Sequence, residues 1–240
     1  MNKLPQISCL MITGGEQNRM KLARIAVQNF LMQDYPNKKL IIINYNLDEN
    51  VIDHTNMYHA DITEYLVNKK NKTLGDLRNI SLDMVPIGSF YYIFDDDDWR
   101  HPMLLSYMMD IHIKSGKDYI FLKNRLNYNC NIDSIWISSD THGQVHILGR
   151  KKDDDFKYLS LNTGEDAPVA KLLQSGNGIL VDNDPQLYTR FVHSSVFVRK
   201  NQTHVLLNTG HYQETQATDE DKIYVASFIN LFGSVCNNSR

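Results

Sequence analysis

Hydrophobic positions in this chain fall into short blocks separated by polar turns, and their period changes from block to block. Ile7–Thr13 reads as an apolar strand that stops at Gly14-Gly15, a pair that exposes backbone. From Arg19 to Gln33, Met20, Leu22-Ala23, Ala26-Val27 and Phe30-Leu31 recur at helical spacing and make one apolar face. Tyr35-Pro36-Asn37 ends that helix, and the unbroken apolar run Leu40–Ile43 predicts a central, buried strand. Strand, helix and strand at crossover length predict a right-handed parallel βαβ unit. A polar stretch follows, then a predicted helix from about Leu74 to Met84 and a strand over Phe90–Phe94. Pro102 is expected in the first turn of a further helix, where its missing N–H costs nothing, with Gly116 as its end.

The second half has a different texture. Asp118–Leu122, Ile135–Ser138 and Val145–Leu148 predict strands between polar turns, an antiparallel or mixed portion. Lys151–Asp155 reads as a solvated charged loop. A helix is expected over Val169–Gln174, strands over Ile179–Val181 and Leu187–Val192, and a closing helix from Asp221. No repeat, low-complexity tract or linker interrupts the pattern. The reading is one α/β domain over 1–240: a central, mostly parallel sheet, helices on both faces and a smaller antiparallel part.

Composition narrows the function classes. A net charge of −3 carries no electrostatic footprint for nucleic acid or an anionic membrane. No apolar run approaches the ~20 residues of a transmembrane segment. Three cysteines (Cys9, Cys130, Cys236), far apart and without a CxxC pair, argue against a disulfide framework and a zinc site. They place the chain in a reducing compartment, the cytoplasm.

The chemistry concentrates where the Phe90–Phe94 strand ends in Asp95-Asp96-Asp97-Asp98-Trp99-Arg100-His101-Pro102. Two unit charges about 4 Å apart repel by roughly 1 kcal/mol in water and about 4 kcal/mol at a protein surface. A bound cation relieves that repulsion, and an all-oxygen donor set suits Mg²⁺, Mn²⁺ or Ca²⁺. If extended geometry persists, Asp95 and Asp97 share one face while Asp96 and Asp98 share the other. Glu165-Asp166, ahead of the Val169 helix, places carboxylates at a helix N-terminus, which lowers their pKa. The spacing lacks the Asp-x-Asp-x-Asp-Gly run of an EF-hand loop, and a single clustered tetrad in a chain of net negative charge does not suit a two-metal nuclease.

Taken in order, these pieces resemble the inverting, family-2-type glycosyltransferases of the GT-A fold. The resemblance runs from Ile7 to about His193. It rests on the Phe30–Pro36 helix end with Leu40–Ile43, on Leu74-Gly75-Asp76-Leu77-Arg78-Asn79, on Phe94–Pro102 as an extended DxD motif, on Gly164–Val169 as an ED motif, and on Leu187–His193. It implies a GT-A, Rossmann-like fold, with 1–116 as the nucleotide-sugar half and 117–240 as the acceptor half. It implies a metal-dependent inverting transfer from a nucleoside-diphosphate sugar, a UDP-sugar in most of the family, to a hydroxyl of a glycan or other acceptor. Mn²⁺ or Mg²⁺ would sit on Asp97, on Asp95 directly or through water, and on His193. Asp96 would contact ribose or a metal-bound water, Asp166 would be the base, and Glu165 would position the acceptor. Thr13, Gly14 and Arg78 would serve the nucleotide. The family's usual paired aspartates after the second strand are replaced by Asn44-Tyr45-Asn46, which leaves the base open: Asn44 contacts it, or Tyr45 stacks on it. Ser194-Ser195-Val196-Phe197 likewise departs from the family's Gly-x-Asn-Thr run. The other reading is a catalytically silent GT-A domain that binds nucleotide, glycan or a partner protein.

Overall fold

A computed structural model of the chain describes residues 4–15, 17–52, 60–140, 147–153, 156–192 and 212–232. His193, the Ser194–Phe197 run and the first residues of the strand expected from Val145 lie outside the described residues. In chain order the first half holds β1 (Ile7–Thr13), α1 (Gln17–Leu31), β2 (Lys38–Asn44), β3 (Ile62–Leu66), α2 (Leu74–Asp83), β4 (Phe90–Ile93), β5 (Trp99–Arg100) and α3 (Leu104–Ser115). The second half adds β6 (Tyr119–Leu122), β7 (Asn124–Asn129), β8 (Ser134–Asp140), β9 (Ile147–Arg150), α4 (Val169–Gln174), β10 (Gly178–Val181), β11 (Tyr188–Val192), β12 (Tyr212–Gln216) and α5 (Asp219–Ile229).

The main sheet has seven strands in the order β10-β6-β9-β4-β1-β2-β3. The neighbours β4-β1-β2-β3 are all parallel, as the βαβ reading requires, and β9 runs antiparallel to both β4 and β6. A strand buried on both faces must be apolar throughout, and all four residues of β4 are buried. One face of this sheet packs Ile7, Cys9, Met11, Tyr92 and Phe94 against Phe30, Leu105 and Met108. The other packs Leu10, Tyr91, Ile93 and Phe121 against Leu82 and Val169. Helices therefore cover both faces.

A second sheet, β12-β8-β7-β11-β5, is mostly antiparallel and lies against α5 through Leu126, Tyr128, Trp99, Phe191 and Phe228. Trp99 stacks on Phe228 with ring centroids 4.6 Å apart, so this tryptophan anchors the acidic loop in a core.

Three expectations need correction. The polar stretch after β2 contains β3, Ile-Thr-Glu-Tyr-Leu, an edge strand whose Tyr65 and Leu66 are exposed and whose apolar residues are interrupted by Thr63 and Glu64. Pro102 lies ahead of its helix: α3 begins at Leu104, whose N–H bonds the His101 carbonyl, while Gly116 does close it at φ 65°. The last helix starts at Asp219, not Asp221. Thr218 caps it, and Asp221 returns the bond to the Thr218 N–H.

Candidate active site at the ends of the parallel strands

The four aspartates leave β4 as a turn, and extended geometry does not reach Asp97. The period-two division into two faces is therefore replaced by three destinations, Arg78, Arg19 and β11. Asp95 accepts from Arg78 Nη2 at 3.1 Å. Asp96 is buried and takes a two-pronged contact from Arg19, at 2.5 Å from Nη2 and 3.2 Å from Nε. Asp97 lies 3.4 Å from the same Nη2. Asp98 is buried among core residues, where the Tyr188 hydroxyl and the Phe191 N–H donate to it.

Arg100 closes this turn from beneath. Its Nη1 bonds the carbonyls of Asp95 and Asp98 at 2.7 and 2.8 Å, and its guanidinium lies over the Phe94 ring. Asn29 on α1 fixes the Arg100 backbone through both its N–H and its carbonyl. Burial pushes Asp96 up to about 6 in spite of Arg19, and burial with the neighbouring Asp97 charge pushes Asp98 up to about 7. Even with Arg19, Arg78 and Arg100 built in, carboxylates outnumber cations here. Arg19 and Arg100 are invisible to a search for acids. The one clue to Arg19 in the sequence is its place in the first helical turn after Gly14-Gly15.

Arg78 joins the two acidic motifs, because its Nε also bonds Glu165 at 3.2 Å. The segment Leu74–Asn79 explains itself through what it docks. Thr73 caps α2 with Asp76, whose other oxygen accepts from Ser160. Gly75 donates to the Leu161 carbonyl, and a Cβ there would come within 1.7 Å of the Leu159 oxygen. Asn79 pairs with both backbone groups of Tyr158. The stretch leading to Glu165 is thus clamped along α2.

Asp166 corrects the expected electrostatics. It lies ahead of α4, a helix of only six residues, and its carbonyl accepts the Val169 N–H. Burial raises its pKa, with Asp95 and Asp140 adding to the rise and Arg78 opposing it. Glu165 is also raised, by burial first.

At the ends of β1 and β2, Thr13 pairs in register with Asn44 and lies buried beside Asp96. Gly14 and Gly15 have φ of 134° and 92°, and a Cβ on Gly14 would meet the Asn46 nitrogen at 2.6 Å. Their backbone lies against the Tyr45 ring, which Lys69 covers at 4.1 Å. Asn44 is fully buried and spent internally: its amide donates to the Glu49 carbonyl and to Glu64, and its oxygen accepts the Asn46 N–H. Tyr45 beside it is half-buried.

Ligands of open α/β sheets bind at the carboxyl ends of the strands, and Thr13, Asn44 and the Asp95 turn all lie at such ends. Similarity to known structures adds the fold family. The S. aureus TarS 1–349 structure in complex with UDP-GlcNAc superposes with a TM-score of 0.63 at 14% identity, over 95% of this chain and 73% of that one. The fold is GT-A-like. TarS 1–349 in complex with UDP superposes with a TM-score of 0.60 at 14% identity, over 79% and 61%. The longer TarS structure gives 0.57 at 15% identity, over 78% and 37%, so the chain spans well under half of its length. No family model and no curated protein sequence matches the chain. Among the described residues, no helix is long and apolar enough to cross a membrane.

Proposed function

We propose that the chain is a glycosyltransferase that moves a sugar from a UDP-sugar to a hydroxyl of an acceptor, with inversion at the anomeric carbon. The observation that carries this reading is the carboxylate-rich turn of Asp95–Asp97 at the strand ends, joined through Arg78 to the Glu165-Asp166 pair, in a fold shared with proteins crystallised with UDP and UDP-GlcNAc. The donor diphosphate belongs near Asp95, Asp97 and Arg19, with the base against Tyr45 and the backbone of Gly14-Gly15.

Among the described residues, no three His, Cys, Asp or Glu side chains converge as a ready metal cage. Mg²⁺ is held in many nucleotide sites by one or two carboxylates together with substrate phosphates. The donors available are hard oxygens, and the surplus of carboxylates over arginines favours a cation. Asp97 and Asp95 would hold it, with His193 as the proposed further ligand. When bound, such an ion neutralises charge on the departing diphosphate.

The remaining work falls to this chain's side chains. Asp166 takes the proton of the attacking hydroxyl, and its raised pKa makes it a stronger base than a surface aspartate. Glu165, fixed by Arg78, orients the acceptor, and Arg78 keeps both acidic motifs in register. A single base and one displacement give inversion.

The test is calorimetry with UDP, UDP-GlcNAc, GDP, CDP and dTDP, each with Mn²⁺ and with chelator, on the wild type and Asp97→Asn. Binding of UDP and its sugar that needs the metal, and is lost in Asp97→Asn, supports the reading. No binding to folded, metal-supplied protein would leave the silent GT-A domain.

A further inference from the structure

The loop that follows β2 is fastened by two side chains of the sheet itself. Residues 45–50 include no buried side chain, and a segment with so little apolar burial has little to hold it in one conformation. Its backbone is nonetheless fixed. Glu64 of β3 accepts the N–H groups of Val51 and Ile52 at 2.9 and 3.0 Å and the Asn44 amide at 2.7 Å. Asn44 passes the restraint outward: its amide also bonds the Glu49 carbonyl at 2.8 Å, and its oxygen accepts the Asn46 N–H at 2.8 Å. Asn46 in turn accepts the Asp48 N–H at 3.1 Å. From α1, Arg24 bonds Glu49 and the Asn50 carbonyl.

Two of the Glu64 bonds satisfy N–H groups of residues that enter the core, as any fold must do. The third goes further, because it fixes the Asn44 amide and with it the position of Asn46. Only a carboxylate accepts all three bonds; a glutamine would turn an N–H donor toward another. What this fastening holds is Tyr45. The Tyr45 N–H bonds the Thr13 carbonyl at 2.9 Å, and a Cβ on Gly14 would come within 2.9 Å of its ring and 2.6 Å of the Asn46 nitrogen. Tyr45 is thus set between the end of β1 and the Asn44–Asn46 turn, with its ring along Gly14-Gly15. A loop already held in its binding conformation gains affinity, because the ligand then carries no ordering cost.

We propose that Glu64 is a positioning residue for the donor's nucleobase: through Asn44 it holds Tyr45 and the Gly14-Gly15 backbone in the arrangement the base meets. Glu64 itself touches no substrate atom. The proposal rests on the glycosyltransferase reading, which puts the base at Tyr45. It makes Asn44 and Glu64 one unit with a definite sign of coupling. Asn44→Asp keeps the shape but sets a carboxylate oxygen against Glu64 and against the Glu49 carbonyl, and Glu64→Gln relieves the first of these contacts.

The test is calorimetry with UDP and with inorganic pyrophosphate in excess Mg²⁺, the pyrophosphate affinity being read from its displacement of UDP. Pyrophosphate offers two phosphates without the base. The proteins are the wild type, Glu64→Gln, Asn44→Asp and the double variant. UDP affinity should fall about tenfold in Glu64→Gln, the loss of one hydrogen bond to a charged group, while pyrophosphate affinity stays unchanged. Asn44→Asp should lose more, and the double variant should bind UDP better than Asn44→Asp alone. Unchanged UDP affinity in Glu64→Gln, an equal fractional loss for pyrophosphate, or a double variant no better than Asn44→Asp overturns the proposal. Where Asn44→Asp does not fold, Glu64→Gln, which leaves side-chain volume almost unaltered, decides through the UDP and pyrophosphate comparison. A folded wild type that binds no UDP overturns the functional reading instead.

Discussion

Replacing Arg78 with Met removes one side chain and strands two carboxylates. Asp95 and Glu165 lose the guanidinium that bonds them at 3.1 and 3.2 Å. Breaking a buried charge pair from one side costs roughly 3–5 kcal/mol. The Asp95 side chain keeps 24% of its exposure and Glu165 only 9%, so water compensates part of the loss and the lower end, about 3 kcal/mol, is expected. In a domain of this size that lowers Tm by about 6–12 °C. The loss must also depend on pH. Without Arg78 the folded pKa of Glu165, already raised by burial, rises further, so the folded state binds more protons than the unfolded one. Stability of the variant therefore falls as pH climbs from the unfolded carboxylate value through the folded one. The gap to wild type is widest near pH 7 and narrows toward pH 4. Urea denaturation across that range measures it, and Glu165→Gln in the Arg78→Met background should recover part of the loss. A gap that is flat with pH, or strictly additive double mutants, would refute the bridge as the element that joins the two motifs.

Under the proposed function, Asp166→Asn should leave binding of the UDP-sugar donor unchanged and cut transfer about 10²–10⁴-fold, as the loss of a general base does. Because burial raises Asp166 and a base must be deprotonated, the acidic limb of the wild-type rate profile should have its midpoint above 3.8, and a midpoint at or below that value refutes the assignment. Gly75→Ala forces a Cβ against the Leu159 carbonyl, so it should destabilise by about 1–3 kcal/mol and reduce turnover by shifting Glu165. Unchanged stability and turnover would mean the 159–165 segment is not held by that contact.

The strands and helices that bury a continuous apolar face were legible, because burial on both faces writes an unbroken run and a helix writes a stripe. Phe90–Ile93 and Leu104–Ser115 are such cases. The missed elements share one property: their stability comes from neighbours rather than from their own pattern. β7, Asn-Arg-Leu-Asn-Tyr-Asn, buries Leu126 and Tyr128 on one side and the polar Arg125 and Asn127 on the other. β5 is two residues long and exists because Trp99 and Arg100 are pinned from both sides, by β11 and by Asn29. Propensity cannot announce a strand that tertiary contacts impose.

The acidic tetrad shows where sequence reasoning about a site runs out. Four adjacent carboxylates invite a single explanation, yet they divide into two that are buried and two that keep some exposure. Asp98 is buried with the Tyr188 hydroxyl and the Phe191 N–H on it, so its work is to tie the turn to β11. Asp96 is held by Arg19 and sealed from solvent. Only Asp95 and Asp97 of the four keep substantial side-chain exposure. A run of four is what this architecture needs to present two: the buried pair anchors the turn from opposite sides, to α1 through Arg19 and to β11 through Tyr188. The outer pair is thereby held still at the strand ends, and its geometry is set by arginines that a reading of the acids alone could not see.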